Sequence, residues 1–299
     1  MRIAWNKNYC FPLPAGHRFP MEKYELLPEQ LMHEGIIERN QIFNPEPAED
    51  QIIKMVHDEG YVEKLKSNTL SKQEVRATGF PHSKELYERE VTIVGGTLQC
   101  VEYAKKDGLA FNIAGGTHHA FSNRGEGFCL LNDIAISSRW AINTGLCKQV
   151  LVIDLDVHHG NGTAQIFQDD KSVFTFSMHG ANNYPLKKQK SDLDVAVEDH
   201  AGDDIYLEIL NKHLRPLIDT VKPDLIHYQC GVDVLGSDKL GRLELSIQGC
   251  MERDIMVFEQ CYSYGLPVVC TMGGGYSANI RDIVNAHVNT YRVGRNIYY

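Results

Sequence analysis

Short apolar, β-branched runs alternate along this chain with longer amphipathic stretches. The runs RIAW, LAFNIAGG, VLVIDLDV, SVFTFSMH, DLIHYQCGVD and PVVCTMGGG carry little polar–apolar alternation, the pattern of strands buried on both faces. Helical periodicity fills the gaps. SKELYEREVTIVGGTLQCVEYAKKDG predicts a long helix stopped by Gly108, and AGDDIYLEILNKHLRPLIDTVKPD a second whose start suits Asp203 and Asp204. Strand–helix–strand repetition predicts an α/β fold, a parallel sheet with helices on both faces. No internal repeat or linker rich in Pro, Gly and Ser divides the chain, so residues 1–299 are expected to form a single domain.

The polar residues gather where these runs end, in GGTHHAF, DLDVHHGNG, FSMHG, CGVDVLG and GGGYS. Ligands of open α/β sheets bind outside the carboxyl ends of the strands, so these ends predict one crevice rich in His, Asp and Tyr. In LVIDLDVHHGNG, Asp154 and Asp156 lie in a core-like run, and a buried carboxylate costs several kcal/mol unless it is paired or binds metal. Asp156 and His158 are two apart and point the same way on an extended strand end. With Asp233 from another strand end they make two carboxylates and one imidazole, a catalytic zinc set with a position left for water. Alone, each residue reads more simply as a capped or hydrogen-bonded loop residue; together in one short string they favour metal.

His118 and His119 sit at a turn, where both can line a pocket and one can take and return a proton near neutral pH. An isolated His pair is by default a surface loop. Asp154 shares the face of Asp156 and can orient a histidine through Nδ1 or join a second cation site. Tyr276 follows three glycines that let backbone approach closely, and its phenol can donate to an oxyanion, although a tyrosine after a glycine turn is more often only packed.

Composition narrows the partners. The chain of 299 residues is 43% hydrophobic and 23% charged, ordinary for a globular protein, and its formal charge of −9 argues against direct nucleic-acid or anionic-membrane contact. No stretch approaches the ~18 consecutive apolar residues of a membrane span. MRIAWNKNYC lacks the apolar run of a signal peptide, and the eight cysteines are scattered without a CxxC pair, so a reducing cytoplasm is the expected compartment. No motif speaks to oligomeric state.

In combination, VHDEGYVEKL, GGTHHAF, GEGFCLLND, VIDLDVHHGNGTAQIF, FTFSMHG, CGVDVLGSDKLGRLELS and GGGY resemble, in order and over most of the chain, the zinc-dependent histone deacetylases of the arginase–deacetylase fold. GHRFPMEKY and NNYPLKKQKSDLDV resemble the bacterial and class IV-like branch. The resemblance implies an eight-stranded parallel sheet and zinc on Asp156, His158 and Asp233. His119 would be general base and acid, His118 its electrostatic partner oriented by Asp154, and Tyr276 the group that polarises the substrate carbonyl. Gly127, Phe128 and Tyr184 would wall a tunnel for an acyl-lysine side chain, with Leu240 on its rim. A structural potassium is implied near Asp154, Asp156, His158, Ser177 and Met178. Where class I enzymes carry aspartate this chain has Asn161, so His119 is expected to be less basic than an aspartate would make it.

The implied activity is removal of acetyl or longer acyl groups from the lysine ε-amine of proteins or peptides, with zinc, or ferrous iron in its place. Hydrolysis of acetylated polyamines or other small amines is the alternative, and apolar Leu240 lacks the carboxylate that would favour a second cationic amine. A binuclear manganese ureohydrolase of the same fold would want DAHxD, which His159-Gly160-Asn161 does not continue. Arg18 reads either as part of the tunnel floor or, more simply, as a surface arginine.

Overall fold

The computed structural model describes residues 1–299. Eight strands form its sheet: β1 (Arg2–Ala4), β2 (Ile42–Phe43), β3 (Leu109–Asn112), β4 (Val150–Asp154), β5 (Val173–Gly180), β6 (Leu193–Val197), β7 (Leu225–Gln229) and β8 (Val268–Thr271). Their order is β2-β1-β3-β8-β7-β4-β5-β6, and every neighbouring pair is parallel. Ten α-helices connect and cover them: α1 (Lys23–His33), α2 (Asp50–Ile53), α3 (Glu59–Lys66), α4 (Lys72–Thr78), α5 (Lys84–Asp107), α6 (Asp133–Asn143), α7 (Asn161–Phe167), α8 (Asp203–Val221), α9 (Ile247–Ser263) and α10 (Ile280–Tyr298).

Strand β4 shows why the apolar runs lack alternation. Leu151 and Ile153 enter one buried cluster, shared with Leu210 and Leu214 of α8, Val257 and Phe258 of α9 and Tyr291 of α10. Val150 and Val152 enter another, shared with Cys100 and Ala104 of α5 and Ala135 and Ala141 of α6. Successive side chains point to opposite faces and helices cover both, so every position must be apolar until the strand ends at Asp154.

The long predicted helix is α5. Ser83 caps its start by accepting from the Leu86 N–H at 3.2 Å, and Gly108 stops it at φ 89°. The six runs read from the sequence correspond to β1, β3, β4, β5, β7 and β8. The other two strands were not among them. β2 is two residues long, and β6 (LDVAV) lies at the sheet edge with one polar flank facing out, so it carries too little apolar signal. All strands being parallel, the carboxyl ends of the four adjacent central strands β3, β8, β7 and β4 open on one side of the sheet.

Candidate active site

The crevice is built from the loops that leave those four ends. After β4 the chain folds back on its own carboxylates: the Asp156 N–H donates to Asp154 Oδ1 at 3.2 Å, and the His158 N–H to Asp156 Oδ1 at 3.0 Å. Asp233, from the loop after β7, is tied in when Val157 N–H donates to its Oδ1 at 2.9 Å. His158 Nδ1 then lies 3.1 Å from Asp156 Oδ1 and 3.0 Å from Asp233 Oδ2. One donor atom from each of Asp156, His158 and Asp233 lies within 4.8 Å of the other two, and all three residues are buried. The loop after β8 closes the set with Gly274, whose N–H donates to Asp156 Oδ2 at 2.8 Å. A Cβ on Gly274 would stand 1.9 Å from Asp233 Oδ2, so no other residue fits there.

This donor set suits a divalent cation. Burial, then the Asp156 carboxylate, push Asp233 up to about 7, an electrostatic conflict that a cation relieves. Burial works against charging His158, but its bonds to Asp156 and Asp233 outweigh it and raise it to about 10. A metal displaces that imidazole proton, so affinity rises with pH.

His118 and His119 come from the turn after β3. Asp133 at the start of α6 holds that turn, accepting from the Gly116 and Thr117 N–H groups at 3.2 and 2.9 Å. Both histidines are buried, their rings 4.1 Å apart, and they face different partners. His118 Nδ1 lies 2.7 Å from Asp154 Oδ2, and His119 Nδ1 lies 2.6 Å from Asn161 Oδ1. Burial opposes charge on His118, yet Asp154 and then Asp156 lift it to about 9. Burial, then the positive fields of His118 and His158, hold His119 well below the ordinary range, and Asn161 offsets little of that. One imidazole is poised as a cation and its neighbour as a neutral base.

Tyr276 stands over the set, its ring centroid 6.2 Å from that of His158. Burial, then Asp233 and Asp156, push its phenol well above its ordinary value, so it remains a donor. Its backbone N–H donates to Asp238 Oδ2 at 2.6 Å, and Asp238 Oδ1 accepts from Leu240 and Gly241 at 2.8 and 2.9 Å. Asp238 thus clamps the Tyr276 turn to the Leu240 loop.

Phe128, Gly127, Tyr184 and Leu240, with Ala77 and Arg18, line an open cavity of about 220 Å³ that reaches His119, His158 and Tyr276. Below it a pocket of about 40 Å³ shares Gly127, Phe128, His119, His158 and Tyr276 and ends against Tyr24, Arg89 and Ile93. Gly127, at φ 52°, lies so close to His119 that an added Cβ would be 2.8 Å from its Cδ2. Tyr184 stands edge-on to His119 with ring centroids 5.0 Å apart. A larger groove of about 700 Å³ around Trp5, Glu25 and Arg39 is remote from these groups, so size does not pick out the site.

Arg18 is at the mouth, not the floor: it is exposed, its guanidinium 4.9 Å over the Phe128 ring. The floor carries Arg89, paired with buried Glu90, and Lys23 lies behind Tyr276 without lining the pocket. Lys23 is fully buried, donates to Gly273 O at 3.1 Å and stands 5.5 Å from the centre of the Tyr276 ring. Burial lowers it to about 8 against the pull of Asp233 and Asp156. Neither Lys23, Asp238 nor Glu126 was singled out in the sequence, although all three lie inside the motifs quoted above. Asp154 and Ser177 are cross-strand partners on β4 and β5, with Met178 next to Ser177. A second His–Asp group, His159, His179 and Asp194, lies beneath the Tyr184 loop, with His159 Nε2 3.0 Å from Asp194 Oδ1 and His159 N–H donating to Tyr184 O at 3.3 Å.

Fold and site define an α/β protein with an all-parallel sheet and a buried Asp–His–Asp donor set at the strand carboxyl ends. The chain belongs to the histone deacetylase family: the family's "Histone deacetylase domain" matches residues 17–291. It is 32% identical to Histone deacetylase 2 of Arabidopsis thaliana over 289 residues, 93% of this chain and 74% of that one. It is 44% identical over 296 residues to an uncharacterized protein of Picosynechococcus sp., covering 99% of each. In fold it matches the crystal structure of an HDAC homolog from Aquifex aeolicus with a TM-score of 0.84 at 24% identity, over 98% of this chain and 83% of that one. No helix is long and apolar enough to cross a membrane.

Proposed function

We propose that this chain is a zinc-dependent deacetylase acting on the acetylated lysine ε-amine of proteins or peptides. The observation that carries the reading is the convergence, at the base of one aromatic-walled cavity, of a buried Asp–His–Asp donor set, a neutral His119 and the Tyr276 phenol. Asp156, His158 and Asp233 would hold zinc, whose two-carboxylate, one-imidazole set leaves room for further ligands. Zinc bound there supplies Lewis acidity to a carbonyl and a water.

The chain's own groups do the rest. Phe128 and Tyr184 enclose the apolar lysine methylenes and leave the peptide flanks in solvent. His119 Nε2 takes a proton from the attacking water, and the protonated imidazole returns it to the departing amine, so amide and water become acetate and free lysine. His118, cationic against Asp154, favours the negative charge that builds on the oxygen. Tyr276 donates a hydrogen bond to the same oxyanion. Asp154, Asp156, His158, Ser177 and Met178 would hold a structural potassium, with oxygen donors that suit a hard cation. Tyr276→Phe is expected to lower kcat by ~10²–10³ with KM little changed. Full turnover by that variant in an acetyl-lysine peptide assay would remove Tyr276 from the oxyanion role.

The small inner pocket supports acetyl over longer acyl groups. At about 40 Å³ it is far smaller than the outer cavity of about 220 Å³, and its far wall is Arg89 and Ile93. Forcing extra methylenes into a packed site costs ~1–3 kcal/mol, so butyryl- and octanoyl-lysine peptides are expected to turn over ~10–100-fold more slowly than the acetyl peptide. The test compares the three peptides with zinc-loaded protein, with and without a hydroxamate chelator. Preferred turnover of octanoyl peptide would overturn the acetyl assignment, and turnover insensitive to the hydroxamate would overturn metal dependence. At the mouth, Arg18 adds positive charge and Glu126 is paired with Arg124, which favours an acyl-lysine over the second ammonium of a polyamine.

A further inference from the structure

Asn161 faces the proposed base through an amide, and an amide has two unlike ends. Its Oδ1 accepts and its Nδ2 donates, and nothing in the side chain itself decides which end meets His119. The environment beyond Asn161 must decide, and one residue there is an acceptor only. Glu126 stands at one end of the hairpin that presents Gly127 and Phe128, its N–H donating to Cys129 O at 3.1 Å and its O accepting from Cys129 N–H at 2.8 Å. Its Oε2 accepts from Asn161 Nδ2 at 3.4 Å and from the Tyr184 hydroxyl at 2.9 Å. Its Oε1 accepts from Arg124 Nε at 2.8 Å, an ion pair that holds the carboxylate in place.

We infer that Glu126 is a positioning residue that fixes the orientation of Asn161, and through it the tautomer of His119, while tying the same network to the tunnel wall at Tyr184. An ionised carboxylate can meet only the NH₂ end of the amide. Asn161 Oδ1 must then face His119 Nδ1 at 2.6 Å, so Nδ1 carries the hydrogen and Nε2 keeps the lone pair. With the amide reversed, its NH₂ would face Nδ1, the hydrogen would move to Nε2, and the base would be lost. In this chain the pair Asn161 and Glu126 does with a relay what a single carboxylate beside His119 would do directly.

This inference rests on His119 being the base of the proposed deacetylase, so its test has a readout that needs no turnover. Glu126→Gln preserves size but can present either end to Asn161. The ¹⁵N shifts of His119 in the labelled full chain are expected to report Nδ1–H in the unaltered protein and a mixture of tautomers in E126Q. In the peptide assay E126Q is expected to lower kcat by ~10–100-fold, as losses in hydrogen-bonded outer shells do. Tyr184→Phe breaks only the wall contact with Glu126 and is expected to raise KM with kcat nearly unchanged. The decisive comparison is the N161D background. A carboxylate has no wrong end, so there Glu126 no longer sets the tautomer and only repels its new neighbour. E126Q is then expected to leave kcat unchanged or raise it. An equal loss of kcat in both backgrounds, or an unaltered His119 tautomer in E126Q, would overturn the inference. An unaltered chain inactive on acetyl-lysine peptides would instead overturn the functional reading, with the tautomer result standing on its own.

Discussion

Asp233→Asn is expected to empty the metal set and take turnover with it. The residue is fully buried in the loop after β7, one carboxylate oxygen accepting from Val157 N–H and the other facing His158 Nδ1 at 3.0 Å. Asparagine keeps the volume and the acceptor toward Val157, so the fold around β4 and β7 has no reason to change. What is lost is one of two negative charges that offset a divalent ion removed from water, and with it several kcal/mol of binding. After dialysis, bound zinc measured by elemental analysis is expected to fall from about one per chain to a small residue, and kcat/KM to drop by at least ~10³, since the Lewis-acid contribution alone is several kcal/mol. Unchanged circular dichroism would separate this outcome from unfolding. A variant that retains both full zinc and full turnover would remove Asp233 from the ligand set. Iron in place of zinc in the unaltered protein would change the metal and leave the ligands standing.

The reason this set could be read from the chain is a conflict inside one string. Asp154 and Asp156 interrupt a run that is otherwise buried on both faces, and a protein tolerates that only where something compensates the charge. His118, His119, Asp233 and Tyr276 were legible for a related reason, as ionisable residues placed where apolar strands stop. The structure brings these groups together at four adjacent strand ends and resolves what Asp154 and Asn161 face, which spacing alone left open.

Lys23 was not legible. It is the first residue of a helix, a position where lysine is ordinarily solvated, and its burial depends on Gly273, 250 residues away. Glu126 was hidden in the same way: its partners Asn161 and Tyr184 are 35 and 58 residues distant, and nothing local distinguishes it from a loop glutamate. Arg18 shows the converse case, where the simpler reading of a surface arginine holds. Its place in a motif left depth open as the alternative, while the floor carries Arg89 from α5, which sits in a helix pattern that reads as amphipathic surface. Buried charges whose partners are remote in sequence leave no local signature, because the compensation exists only after folding.

His119→Ala is expected to lower kcat by ~10²–10⁴, the range of a positioned general base and acid, with zinc content unchanged. Metal retention is the control that separates this variant from the ligand variants, because His119 bonds to Asn161 and to none of Asp156, His158 or Asp233. The pH profile gives a second, independent signature. A base must be unprotonated to act, and burial with the fields of His118 and His158 holds the His119 pKa well below 6.5. Activity in kcat/KM should therefore persist as pH falls through 6.5 and be lost only at lower pH, where the imidazole finally charges. Bound zinc adds positive charge nearby and moves that limb further down. Asn161→Asp works in the opposite sense, since a full negative charge 2.6 Å from Nδ1 favours the imidazolium and should carry the acid limb upward. His118→Ala should also move it upward, by removing a neighbouring positive charge, while lowering kcat through the lost support of the oxyanion. An acid limb that follows neither substitution would mean that the group titrating in kcat/KM is not His119, and the roles of base and electrostatic partner would have to be reassigned between the two histidines.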